Sequence, residues 1–269
     1  MPKAKVNEIN INYKVEGQGE PLVMIMGLAT GGYFWLFQTR VFKKHYLVIT
    51  FDNRGVGKTD KPSGPYTTKM MAEDTIGLMD YLAIDRAHIL GVSMGGMIAQ
   101  ELAINHPDRV KKLALGCTYA NAEIAMDEIA GVSPELRKVM ESVGVSNASN
   151  RRALSTLFIH TFNSNKWFWR MISPILSWIL FIRGWTSGIM GQYEATQKHD
   201  TLDRLHMIEA PTLVITGTAD RLVPPSSSDV IAGRIPNAKL VKVENGSHAF
   251  FFEMRGKFNQ EVLDFLESS

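Results

Sequence analysis

The chain has 269 residues, 45% hydrophobic and 21% charged, which is enough apolar material for a large core and argues against disorder. Its 29 basic and 27 acidic side chains leave a formal net charge of +2 with no basic block, which excludes a nucleic-acid-binding protein. The single cysteine, Cys117, cannot close an internal disulfide, and residues 1–8 carry no apolar signal region, so a cytoplasmic location is expected.

Residues 6–15 alternate weakly as a strand, and Gly17-Gln18-Gly19 supplies a turn. Pro21 opens Leu22-Val23-Met24-Ile25-Met26, a continuous apolar run of the kind a strand buried on both faces shows. These first two strands are close in sequence and are expected to pair antiparallel at one edge. Similar runs recur at 46–51, 87–92, 112–115, 212–215 and 240–243. Helical patterns lie between them: Thr68 to Leu82, Met97 to Asn105, Ser226 to Arg234 and Phe258 to Leu266. Short apolar strands alternating with helices predict an α/β fold, a mostly parallel sheet flanked by helices.

The alternation breaks between about Thr118 and His206, where helical patterns follow one another at Pro134–Val143, Asn150–His160, Lys166–Arg183 and Thr186–Gln197. Residues 120–205 are therefore expected as a helical insertion over a core built from 1–119 and 206–269.

Gly91-Val92-Ser93-Met94-Gly95 sits where the run 87–92 ends and a helix begins. A serine on such a turn has a strained backbone and an exposed hydroxyl. The Met94 N–H, at the helix N-terminus, can hold a developing negative charge. The same five residues also arise by chance as a plain helix N-cap, so the motif needs partners. A serine hydroxyl is a weak nucleophile without a base and an orienting carboxylate.

Of seven histidines, His248 has the best setting, on a loop directly after the run 240–243. His88 starts a strand, His106 ends a helix, and His160, His199 and His206 fall in the insertion, where surface or lid roles are expected. Asp220 follows the strand at 212 on the same sheet edge, although aspartate also suits a turn or a helix cap. Cys117 reads as a small buried residue at a strand end. Gly57-Lys58-Thr59 imitates a phosphate loop but lacks the earlier glycine, Asp52 standing there, and no histidine or cysteine pair has metal-ligand spacing. Neither a cofactor nor a metal is expected.

The elbow around Ser93, the turn Asp52-Asn53-Arg54-Gly55-Val56-Gly57, the segment Ala210-Pro211-Thr212 to Asp220, and Gly246-Ser247-His248 together resemble the α/β-hydrolase superfamily. The resemblance spans nearly all of the chain except the insertion. It implies Ser93 as nucleophile, His248 as base, Asp220 as its orienting acid, and the insertion as a cap. It also implies an oxyanion hole from the N–H groups of Leu28 and Met94. Two departures stand out: Met26-Gly27 where the family often has His-Gly, and Ser247 where glycine is usual. Members with aspartate at the elbow are dehalogenases or epoxide hydrolases, so Ser93 points away from both.

The insertion is strongly apolar over 171–182, too short for a membrane span and interrupted by Pro174. Packing on the core, lining an acyl pocket and transient docking on a lipid surface compete as its use. Gly27, Trp167, Trp169 and Trp178 are the expected substrate-binding positions, with Leu28, Tyr33, Phe34 and Trp35 near the oxyanion loop. The expectation is a monomeric or homodimeric serine esterase or lipase acting on small, lipophilic, uncharged esters. A C–C bond hydrolase, an enol-lactone hydrolase or a thioesterase would share the same three residues, as could a hydrolase-fold receptor with little turnover.

Overall fold

Hydrophobic runs without alternation bury both faces of a strand, and that is how the centre of this molecule is built. A computed structural model describes residues 2–132, 134–142, 156, 160–161 and 187–268. Its strands are β1 Lys3–Val6, β2 Ile9–Glu16, β3 Glu20–Ile25, β4 Tyr46–Phe51, β5 Ala87–Val92, β6 Val110–Gly116, β7 Thr212–Gly217 and β8 Ala238–Val243. They form one sheet in the order β1-β2-β4-β3-β5-β6-β7-β8. From β4 to β8 all neighbours run parallel, and the β1–β2 and β2–β4 pairs are antiparallel.

Successive residues of each central strand serve opposite cores. Val23, Ile25, Ile89, Leu113, Leu115 and Val214 belong to one buried cluster. Leu22, Met24, Leu90, Ala114, Leu213 and Ile215 belong to the other. A period of two in direction without a period of two in polarity requires helices on both faces. The helices supply this: α1 Leu36–Phe42, α2 Thr68–Tyr81, α3 Met94–Asn105, α4 Ala122–Val132, α5 Pro134–Glu141, α6 Ser187–Gln197, α7 Pro225–Arg234, α8 Phe250–Glu253 and α9 Arg255–Glu267. Helices α2 and α3 cover the first cluster, while α1 and α9 pack together over the second. Helix α2 starts at a Thr67 side chain that accepts the Met70 N–H at 3.0 Å.

Two expectations about the first strands are corrected. The segment 6–15 is not one strand, because Asn7 and Glu8 take φ of 44° and 66° and turn the chain into the β1–β2 hairpin. Nor does β2 pair with β3. It pairs with β4, through Tyr13↔Phe51 to Glu16↔Val48. The three-residue turn at 17–19 does not close a hairpin; it carries the chain across the start of β4. A Cβ on Gly17 would lie 2.3 Å from the Tyr46 carbonyl oxygen, so the crossing needs bare backbone.

Between β6 and β7 the described residues contain α4, α5, α6 and a 3₁₀ turn at Leu202–Met207, with no strand beyond the isolated bridge Asn121↔Asp200. Most of the expected helix Asn150–His160 and all of Lys166–Arg183, with Trp167, Trp169 and Trp178, lie outside the described residues. Among the described residues no helix is long and apolar enough to cross a membrane.

Candidate active site

The register aligns the C-terminal ends of β3, β5, β7 and β8, since Ile25 pairs with Gly91, Gly116 with both Val92 and Ile215, and Gly217 with Val243. Loops leaving those ends gather at one edge, as open α/β sheets favour. Ser93 stands alone between β5 and α3, with φ 55° and ψ −126°. Such a conformation persists only where the surroundings impose it. Here a Cβ on Gly91 would lie 2.2 Å from the Gly95 carbonyl oxygen, and one on Gly95 would lie 2.1 Å from that of Ile25. Helix and strand thus touch backbone to backbone and leave the serine no relaxed path. The Ser93 N–H donates to Gly116 O at 2.8 Å, and Thr118 Oγ1 donates to Ser93 O at 2.8 Å.

The three residues that sequence reasoning placed at strand ends come together in a single row. His248 Nε2 lies 3.1 Å from Ser93 Oγ, and His248 Nδ1 lies 2.8 Å from Asp220 Oδ2. Asp220 is wholly buried, and its other oxygen, Oδ1, accepts the N–H groups of Leu222 and Val223 at 2.9 Å each. The turn role and the histidine partnership therefore coexist, one oxygen for each. A carboxylate only accepts, so His248 carries its proton on Nδ1 and turns a bare Nε2 toward the serine hydroxyl.

The histidine loop is itself pinned. Ala219 N–H donates to Gly246 O at 2.8 Å and Asn245 N–H to Thr218 Oγ1 at 2.8 Å, tying it to the Asp220 loop. Ser247, where glycine is usual in the family, donates to Glu253 Oε2 at 2.5 Å and accepts the Ala249 N–H at 3.1 Å.

The loop after β3 faces the serine. A Cβ on Gly27 would lie 3.1 Å from Ser93 Cβ and 3.6 Å from Oγ, so this position must stay small. Met94 opens α3, where an N–H has no intrahelical acceptor, and Leu28 follows Gly27 in the facing loop. Asn53 Nδ2 donates to Met26 O at 2.9 Å, and Thr30 Oγ1 donates to Gly27 O at 2.9 Å.

Two sequence expectations are refined and a third holds. Trp35 is fully buried against Phe251, ring centroids 5.8 Å apart, in the core cluster that also holds Met26, so it is a core side chain with no exposed face for substrate. His199 is buried, not at a surface. Its Nδ1 pairs with Thr68 Oγ1 at 2.9 Å, and burial lowers its pKa to about 4. Cys117 is buried as expected, and desolvation, helped by the Asp220 carboxylate, holds its thiol well above the ordinary range. The ligand atoms of Cys117, Asp220 and His248 lie within 4.8 Å of one another. The latter two are already hydrogen-bonded together, and a protonated thiol is a poor metal ligand.

A model of the α/β hydrolase fold family matches residues 20–254. The chain belongs to this family. It is 30% identical over 266 residues to a Mycobacterium tuberculosis protein named as a non-heme bromoperoxidase, BpoC, covering 97% of this chain and 98% of that one. It is 28% identical over 269 residues to an Azorhizobium caulinodans protein named as a carbamate hydrolase, RutD, covering 98% of each. Among solved structures, the enol-lactonase from Burkholderia xenovorans LB400 superposes with a TM-score of 0.83 at 28% identity, covering 99% of this chain and 100% of that one. The family, with the carbamate-hydrolase and enol-lactonase names, supports an enzyme with hydrolase chemistry.

Within the α/β hydrolase frame, sequence reasoning missed the groups that hold the site's backbone. Thr118 is an ordinary polar residue beside a strand end, and Asn53 stands out in the sequence only as part of the Asp52 turn, not as an anchor of the Met26 carbonyl. A third, Gln192, whose Oε1 accepts the Ala29 N–H at 2.9 Å, gave no signal at all.

Proposed function

We propose that the protein is a serine hydrolase that cleaves carboxylic esters of lipophilic, uncharged substrates through an acyl-enzyme. The observation that carries the reading is the row Ser93–His248–Asp220, with contacts of 3.1 and 2.8 Å, on a strained turn facing Gly27. Ser93 Oγ attacks the acyl carbon while His248 Nε2 takes its proton, and the N–H groups of Leu28 and Met94 receive the oxyanion. The C–O bond then breaks as His248 returns the proton to the leaving alcohol. Water next attacks the acyl-enzyme, His248 takes its proton, and the acid leaves as Ser93 regains its hydrogen. Asp220 keeps the imidazole in the working tautomer throughout. Every bond and proton is accounted for by these groups and water, so the proposal includes no cofactor.

Residues 120–205 serve in this reading as a cap, and the apolar stretch 171–182 with Trp167, Trp169 and Trp178 motivates the lipophilic substrate. One relative favours a second reading. A lactone is an internal ester, and the similarity to an enol-lactonase supports lactone opening by the same steps. The test is hydrolysis of p-nitrophenyl esters from acetate to palmitate beside simple lactones, with wild type and Ser93→Ala. Ester turnover falling at least about 10³-fold in the variant is expected, and the chain-length optimum sizes the pocket. A preference for lactones moves the reading to the second form. A folded wild type that opens neither class defeats both.

A further inference from the structure

The oxyanion loop lacks the family's frequent histidine, yet its backbone is held in an unusual shape. Ala29, directly after Leu28, has φ 60°, a left-handed conformation disfavoured for alanine. Something must fix it. The contact comes from 163 positions away: Gln192, on α6, has a fully buried side chain whose Oε1 accepts the Ala29 N–H at 2.9 Å. The same amide donates through Nε2 to the Arg54 carbonyl at 2.7 Å. Gln192 thus ties the loop after β3 to the turn after β4, and both of its polar atoms are used.

The reach of that side chain is set by backbone. A Cβ on Gly188 would lie 2.5 Å from Gly55 Cα, so α6 rests directly on the 52–57 turn with no side chain between them. Helix, turn and oxyanion loop form a rigid three-way contact. The Met26 and Gly27 carbonyls are held by Asn53 and Thr30, and the Ala29 N–H by Gln192. The Leu28 N–H lies between these anchors.

We infer that Gln192 is a positioning residue that sets the Leu28 N–H for the oxyanion, so the last helix before β7 takes part in transition-state stabilisation without touching substrate. This rests on the serine-hydrolase reading. A donor displaced by a fraction of an ångström weakens its bond to a charge that exists only in the transition state, so the loss falls on kcat rather than KM.

The experiment compares wild type with Gln192→Met, near in volume and unable to make either bond, on the best p-nitrophenyl ester. The expected result is kcat lower by about 10- to 100-fold with KM within about 3-fold, and a similar loss in affinity for a trifluoromethyl ketone analogue of the oxyanion. Gly188→Ala, which keeps Gln192 but lifts α6 from Gly55, should show a smaller loss of the same kind. In the wild type, the Ala29 amide should be protected from hydrogen exchange. Exchange at the free-peptide rate overturns the contact even if neither variant folds. A folded Gln192→Met with wild-type kcat, or with a change in KM alone, overturns the positioning role. Failure of the underlying reading looks different: wild-type Ser93 would then resist a fluorophosphonate and hydrolyse no ester.

Discussion

Asp220→Asn separates the orienting role of this carboxylate from its structural one. Asp220 Oδ1 takes two backbone N–H groups at 2.9 Å, and Oδ2 takes His248 Nδ1 at 2.8 Å. Asparagine has one oxygen and one NH₂ for the same three contacts. With its oxygen on the Leu222 and Val223 amides, the NH₂ faces Nδ1. The imidazole must then move its proton to Nε2, where it opposes the Ser93 hydroxyl instead of accepting from it. The other orientation restores the histidine contact but loses two hydrogen bonds, about 1 kcal/mol each, and buries donors against donors at about 1–3 kcal/mol more. The productive orientation therefore lies roughly 3–5 kcal/mol uphill, and at 1.36 kcal/mol per decade the loss of kcat is about 10²- to 10⁴-fold. Loss of the carboxylate's support for the imidazolium moves the expectation toward the upper end. Because the backbone bonds survive, the urea midpoint should hardly change. The assay is ester hydrolysis together with Ser93 labelling by a fluorophosphonate. A variant within about tenfold of wild type would refute the tautomer argument, and a variant that unfolds readily would refute the claim that Oδ1 alone serves the fold.

Two further outcomes come from burial and close approach. His199 is neutral when folded, its pKa lowered from 6.5 to about 4 by desolvation, whereas the unfolded chain protonates below about 6.5. Its contribution is complete above that pH and is lost as pH falls toward 4, with about 2 kcal/mol gone by pH 5. Urea unfolding at pH 7.5 and 5 should show wild type losing about 2 kcal/mol more than His199→Gln; a gap that ignores pH sinks the idea. In Gly95→Ala the new Cβ would sit 2.1 Å from the Ile25 carbonyl oxygen, both groups being backbone. Forcing α3 from β3 should cost about 3 kcal/mol or more and slow Ser93 labelling, so an unchanged melting curve would contradict the close contact.

What could be read from the chain was local. The apolar runs of β3 to β8 and the helix patterns between them each lie in contiguous sequence, and Ser93, Asp220 and His248 each follow such a run, so their strand-end positions could be read one at a time although the contacts between them are remote. Where reasoning failed, the deciding contact was remote. The β2–β4 pairing depends on a turn fitting over Tyr46, and nothing within residues 6–26 encodes that. Sequence position alone puts Trp35 near the oxyanion loop, but its full burial is decided by Phe251, far along the chain. Gln192 lies in a helix of unremarkable pattern, and its role is visible only once Ala29 and Arg54 stand beside it.

The sheet order also explains why these three residues suit one another. Ser93 leaves β5 and Asp220 follows β7, with β6 between them, so their strand ends are two spacings apart, about 9.6 Å. No single hydrogen bond spans that gap. One imidazole with a hydrogen bond at each nitrogen does, and the strand end beside that of Asp220, the end of β8, delivers it as His248. The residue leaving β6 must then lie beneath the row without competing for it. The chain places Cys117 there, at φ 40° and fully buried, its thiol kept protonated by desolvation and by the neighbouring carboxylate. A charged side chain at that position would pair with Asp220 or His248 and break the row. A small neutral one leaves Asp220 to two backbone amides and one histidine, the arrangement on which the tautomer argument depends.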